Sequence, residues 1–196
     1  MRLIITRHGQ TEENKLGILQ GHLPGKLSEL GLEQARKLAL RLKNEKIDKI
    51  YSSDLDRAKD TAEIIAEYHP KADLILTKDI REKDLGDLTG KTRTELGFGI
   101  EDLIVGFIES KTGETSEQMF ARAKVFIDQL KSHNSDETVL VVGHNGINKA
   151  LLSVLMGKSP EELEDQKNVS INIFQVDKGG RADVEILNDT SHLDKP

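Results

Sequence analysis

The sequence predicts an α/β fold, a three-layer α/β/α sandwich around a mainly parallel but mixed sheet. Three observations carry that expectation. Strand-like apolar runs alternate with amphipathic helical stretches over most of the chain. Two late strand-like runs, joined at Gly179-Gly180, read as an antiparallel hairpin. No internal repeat, low-complexity tract or linker interrupts the 196 residues, so a single domain spanning 1–196 is expected.

The elements follow in order. "LIIT" at Leu3 reads as a buried strand, and a polar, Gly-containing loop runs on to Leu27. Ser28 is the expected N-cap of a helix whose apolar face is Leu32, Ala35, Leu38, Ala39 and Leu42. "KIDKIYSSDL" is a short strand and turn, after which Asp54 is expected to cap a helix carrying Ala58, Ala62, Ile65 and Ala66. "ADLILT" is a third strand, and Lys78 to Gly99 is irregular and polar. Ser116 to His133 is a helix. "ETVLVVG" is the clearest strand, with branched or leucine side chains at its centre. "NGINKALLSVLMG" is a helix ending at Gly157. "VSINIFQV" and "RADVEIL" form the hairpin.

Composition removes several function classes. Net charge is −6, Trp is absent and aromatics make up 4%, which argues against nucleic-acid partners. There is no cysteine, which removes thiol catalysis and Cys-ligated zinc and suits a reducing, cytoplasmic setting. The apolar runs are too short for a signal peptide or a membrane span. "NVS" at Asn168 and "NDT" at Asn188 match the glycosylation pattern and are read as chance. No HExxH or EF-hand pattern groups the histidines or acids, so neither a metal nor a cofactor is expected. "GDLTGKT", Gly86 to Thr92, ends like a Walker loop. It has three residues between its glycines where that motif needs four, and no strand feeds it.

Ligands of such sheets bind beyond the carboxyl ends of the strands. The first strand ends at Arg7-His8, the second leads to Arg57, and the third leads to Arg81, Glu82 and Asp84. The strong strand ends at Gly143-His144-Asn145 and opens a helix. Taken singly, each residue has a plainer explanation. A histidine at a strand end is usually a loop residue, Arg57 would form an exposed ion pair with Asp54 or Asp60, and Glu82 would be a solvated charge. Together they assemble a phosphate pocket. Guanidinium groups bind phosphate oxygens bidentately, and a helix N-terminus adds backbone donors. A neutral imidazole, kept neutral by nearby cations, can attack phosphorus. A carboxylic acid can protonate the leaving alkoxide. On this reading either histidine is a candidate nucleophile.

Arg7-His8-Gly9-Gln10-Thr11 with Asn14 resembles the signature of the histidine phosphatase superfamily, the phosphoglycerate mutase-like proteins. "LQGHLPGKLSELGLEQA", "IYSSDLDRAKDTA", "IREKDLGDLTG", "VVGHNGINKALL" and "NDTSHL" resemble its later segments, in order. The resemblance implies a phosphoglycerate mutase-like fold. It implies His8 as the nucleophile that becomes phosphohistidine, Arg7, Arg57 and His144 as the phosphoryl clamp, and Glu82 as proton donor. Asn14, Gln20 and Asn145 would be further phosphate or substrate contacts.

The family's mutases typically carry Glu-Arg-x-Tyr-Gly and a long basic insertion. Here the stretch is Glu82-Lys83-Asp84-Leu85-Gly86, and 24 residues with three basic side chains separate Gly90 from Thr115. Water is therefore the expected acceptor, and the partner a small phosphorylated metabolite. The family often has arginine where Lys149 stands and a small residue where Asn145 stands. A cofactor-dependent mutase is the alternative, and a non-catalytic phosphate binder is disfavoured because it would need neither His8 nor Glu82. "FGIEDLIVGFIE" reads as a lid or core helix with Phe98, Leu103, Ile104 and Phe107 inward. Substrate and oligomeric state are not legible.

Overall fold

The computed structural model describes residues 1–97, 108–133 and 136–194. The helix expected around Phe98 to Phe107 lies outside the described residues. Six strands form one sheet: β1 (Arg2–Arg7), β2 (Lys49–Ser53), β3 (Asp73–Thr77), β4 (Thr138–Gly143), β5 (Ile171–Val176) and β6 (Ala182–Asp189). Their spatial order is β3-β2-β4-β1-β5-β6. The pairs β3/β2, β2/β4 and β4/β1 are parallel, whereas β5 runs antiparallel to β1, and β6 to β5. The sheet is thus mixed and the hairpin is present.

The helices are α1 (Glu12–Lys15), α2 (Glu29–Leu42), α3 (Asp56–Ala66), α4 (Ser116–His133) and α5 (Asn145–Met156). Alternate side chains of a strand face opposite ways, and β1 divides accordingly. Leu3 and Ile5 pack with Val139, Val141, Phe126, Ile127 and Leu151 under α4 and α5. Ile4 packs with Leu140, Val142, Leu38, Leu42, Ala62 and Ile65 under α2 and α3. Both sheet faces are covered, which gives the three layers and explains why β1 and β4 read as unbroken apolar runs.

Two expectations are corrected. The segment after β1 is not all loop, because Thr11 and Asn14 close a capping box that winds α1. Asp54 does not cap α3, whose N-cap is Leu55 with no side-chain bond. Asp54 instead takes the Arg81 guanidinium in a fork, with 2.6 Å to each of Nε and Nη2. A bidentate charge-assisted pair is stronger than a single cap bond. Ser28 does cap α2, accepting from Gly31 N–H at 3.0 Å. The start of α2 presses on the turn after β1 so closely that a Cβ at Gly31 would overlap the Gln10 carbonyl, and one at Gly9 the Gly31 carbonyl. Glycine at both positions is what lets the chain leave β1 sharply.

Candidate active site

The carboxyl ends of β1, β2 and β4 converge on a cleft of about 610 Å³ lined by Arg7, His8, Asn14, Gln20, Arg57, Glu82, Lys83, Arg93 and Asn145 among others. Parallel pairing puts Arg7 beside Gly143, one residue before His144. His144 itself is fully buried behind the lining, with its ring 5.1 Å from that of His8 at an interplanar angle of 60°.

Hydrogen bonds distinguish the two histidines. His8 Nδ1 lies 2.7 Å from the Gly9 carbonyl. A carbonyl only accepts, so Nδ1 carries the proton and a neutral ring keeps its lone pair on Nε2. His144 is the reverse. Its Nδ1 accepts from Arg57 Nε at 3.1 Å, so the proton sits on Nε2, which has no partner among the described residues. Burial, reinforced by Arg57 and then Arg7, holds His8 well below the ordinary imidazole pKa. Burial, then Arg57, His8 and Arg7, does the same to His144. Both rings are neutral at pH 7, one offering a lone pair and the other a donor.

Arg57 is buried rather than exposed, and is paired with neither Asp54 nor Asp60. Besides His144, it donates from Nη1 to the carbonyls of Leu23 (2.5 Å) and Pro24 (3.2 Å), and from Nη2 to Gly21 (2.9 Å). Four of its five N–H groups are thereby fixed, leaving one on Nη2. Burial lowers its pKa to about 10, with Glu82 opposing, so it remains a cation at pH 7. Arg7 donates from Nη1 to the Gln166 carbonyl at 2.7 Å, while its Nε is buried without a partner among the described residues. Burial lowers its pKa too.

Glu82 accepts from the backbone N–H of Gly146 (3.0 Å) and Ile147 (3.1 Å), and from that of Lys83 (3.0 Å). The α5 N-terminus, expected to face phosphate directly, therefore holds the acidic side chain, as the helix dipole favours. His22 Nε2 donates to the Glu82 carbonyl at 2.8 Å and steadies this loop.

The remaining sequence candidates are also placed. Asn14 lines the cleft while its Oδ1 accepts from Thr11 N–H. Gln20 lines it with a buried Oε1 that has no partner among the described residues. Asn145 lines it and accepts from Gln166 N–H. Arg81, bound to Asp54, does not line it, and Asp84 accepts from Gly86 N–H within its own turn. Two charged lining residues were missed. Arg93 comes from the irregular segment, where no periodicity or strand end marks it. Lys83, singled out only as part of the acid-loop stretch, has a side chain only 1% exposed, and its ammonium contacts Glu109, Ser116 Oγ and the Ile108 carbonyl.

A family profile, histidine phosphatase superfamily (branch 1), matches residues 3–190. The chain belongs to that family. It is 32% identical to a metal-independent phosphoserine phosphatase of Arabidopsis thaliana, over 97% of this chain and 82% of that protein. It is 31% identical to phosphoglycerate mutase-like protein 4 of the same plant, over 98% and 87%. Among solved structures, a mycobacterial glucosyl-3-phosphoglycerate phosphatase complexed with VO3 superposes with a TM-score of 0.85 at 27% identity, covering 96% of this chain and 99% of that one. The phosphoglycerate mutase-like sandwich expected from the sequence is thus the observed fold. No described helix is long and apolar enough to cross a membrane.

Proposed function

We propose that this chain is a cytoplasmic phosphomonoesterase, one domain over 1–196, that hydrolyses a small acidic phosphorylated metabolite through phosphohistidine. The opposed tautomers carry the reading. His8 Nε2 attacks phosphorus as the P–O ester bond breaks, and Glu82 in its acid form gives its proton to the departing alkoxide. Water then attacks the phosphohistidine, Glu82 accepts its proton, and phosphate leaves His8 with its lone pair restored. Arg7, Arg57 and the Nε2–H of His144 supply positive charge and donors to the transferring oxygens throughout. Asn14, Gln20 and Asn145 line the cleft and are read as further contacts to phosphate or substrate. No step calls for a metal or organic cofactor.

The named relatives act on phosphoserine and glucosyl-3-phosphoglycerate, and Arg93 adds a third guanidinium to the cleft. Together they support a substrate with a second anionic group. A mutase must retain a bisphosphate, and Arg93 is the one lining arginine beyond the phosphoryl clamp among the described residues, so hydrolysis is favoured. Phosphate release is to be measured on phosphoserine, 3-phosphoglycerate and p-nitrophenyl phosphate, alongside isomerisation of 3-phosphoglycerate with its bisphosphate. Isomerisation faster than hydrolysis would sink the phosphatase reading.

A further inference from the structure

Behind the cleft, residues 164–169 form a strap that touches three of its members. Gln166 is buried and uses every polar group it has. Its carbonyl accepts from Arg7 Nη1 (2.7 Å), and its N–H donates to Asn145 Oδ1 (2.8 Å). Its side chain is held in turn, with Nε2 donating to the Glu164 carbonyl (3.2 Å) and Oε1 accepting from Asn172 Nδ2 (2.7 Å). Two residues on, Asn168 Nδ2 donates to the His8 carbonyl at 2.9 Å, and Val169 N–H donates to that of Arg7 at 3.1 Å.

Asn172 is fully buried in β5, opposite Ile5 of β1. It spends its second amide hydrogen on the Ile5 carbonyl (3.2 Å) and accepts at Oδ1 from Asn188 N–H (2.8 Å). The β5/β6 register slips between Ile171 and Ile173, the stretch that contains Asn172. Asn188 has a φ of 48°, and Val169, a β-branched residue, a φ of 54°. Bulges and left-handed residues of this kind gather where a fold re-aims a functional side chain. Asn188 then grips the strap from the other side, with Oδ1 accepting from Lys167 N–H (3.1 Å) and Nδ2 donating to the Asp165 carbonyl (3.0 Å).

Neither Gln166 nor Asn172 lines the cleft, yet their bonds end on residues that do. A guanidinium can present phosphate with its Nε/Nη2 edge or its Nη1/Nη2 end, and tying Nη1 of Arg7 to the Gln166 carbonyl selects the Nε/Nη2 edge. We propose that Gln166 and Asn172 are positioning residues, which fix the carbonyl that aims Arg7 and the N–H that aims Asn145. The proposal rests on the reading of the cleft as a phosphate site.

Calorimetric titration with inorganic phosphate tests it. Gln166→Ala keeps both backbone contacts but frees the strap, and should raise the phosphate Kd about tenfold, as loss of outer supporting bonds commonly does. In an Arg7→Lys background the same change should add no more than about threefold, the part carried by Asn145, because the larger part runs through Arg7. A Gln166→Ala protein with a lower Tm but a phosphate Kd within about twofold of wild type would make the residue purely structural and overturn the proposal. An undiminished effect in the Arg7→Lys background would overturn it as well. Should Gln166→Ala fail to fold, the wild-type protein decides. The Asn172 side-chain amide and Gln166 backbone amide resonances should shift on adding phosphate, and unmoved resonances would refute the coupling. Wild-type protein that binds no phosphate would defeat the phosphate-site reading itself, an outcome distinct from the others.

Discussion

The two walls of the cleft are built differently. One is made at the ends of β1 and β4 and the start of α3, where His8, Arg57 and His144 are buried, Arg7 is partly so, and all four are tied by named bonds to carbonyls, to each other or to the strap. The other is the segment from Lys78 to Gly97, which has only two single-turn 3₁₀ helices and brings Glu82 and Arg93. Within it, Glu82 is the well-anchored member, because it borrows two N–H groups from α5. The lesson is a division of labour. On the proposed mechanism, the nucleophile and the phosphoryl clamp sit at strand ends and a helix start, where geometry is stiff, whereas Arg93, proposed to meet the rest of the substrate, sits on irregular chain that can vary.

Breaking the sheet wall should cost most. His8→Ala is expected to retain its circular dichroism spectrum and lose hydrolysis to below about one part in 10⁴. Glu82→Gln follows. It should lower kcat for an alkyl phosphate by about 10²–10⁴, and by much less for p-nitrophenyl phosphate, whose leaving group needs little protonation. Equal losses on both would show that Glu82 is not the acid. Arg57→Lys keeps the charge but not the fork, and should cost about 100-fold in kcat/KM together with a lower Tm. On the irregular wall, Arg93→Ala should raise KM about tenfold for phosphoserine, the worth of one charged hydrogen bond, and leave p-nitrophenyl phosphate unchanged. A loss shared by both substrates would move Arg93 into the phosphoryl clamp and blur the division.

The last prediction concerns pH and bears on stability rather than on rate. His8 and His144 are held below 6.5 in the fold but titrate near 6.5 when unfolded. Between the depressed folded values and 6.5 the unfolded chain binds more protons, so stability rises with pH through that window and is lost as pH falls. Two such groups give a slope of up to about 2.7 kcal/mol per pH unit. Urea titrations between pH 7.5 and 5.5 should show this loss, and His8→Ala should roughly halve its slope. By the same shift, kcat/KM should not fall through pH 6.5 from protonation of His8.

Much of this was legible in the sequence, for physical reasons. The strands and helices follow from apolar period, and the residues at strand ends reach one rim because parallel pairing puts them there. Arg7, His8, Arg57 and Glu82 all line the cleft. The choice of nucleophile among the histidines was legible only through resemblance, because it turns on which ring nitrogen meets Gly9 O and which meets Arg57 Nε. Arg93 was invisible because its segment has no period. Asp54 was misplaced because a cap and an ion pair compete for one carboxylate, and sequence spacing does not show that Arg81 comes within reach. The α5 N-terminus was expected to face phosphate, but its N–H groups go to the protein's own Glu82. Asn172 left a faint signal, an amide in the middle of the apolar run "INIF".

The strap has a consequence for where such a chain can mature. The two glycosylation-like triplets begin at Asn168 and Asn188, and the amide nitrogens that would carry a sugar are the ones donating to His8 and Asp165. An oligosaccharide on either asparagine would take one of the two hydrogens of a nitrogen that the folded strap uses as a donor. Sugar addition at these two positions would therefore compete with the bonds that Asn168 makes to His8 and Asn188 makes to Asp165.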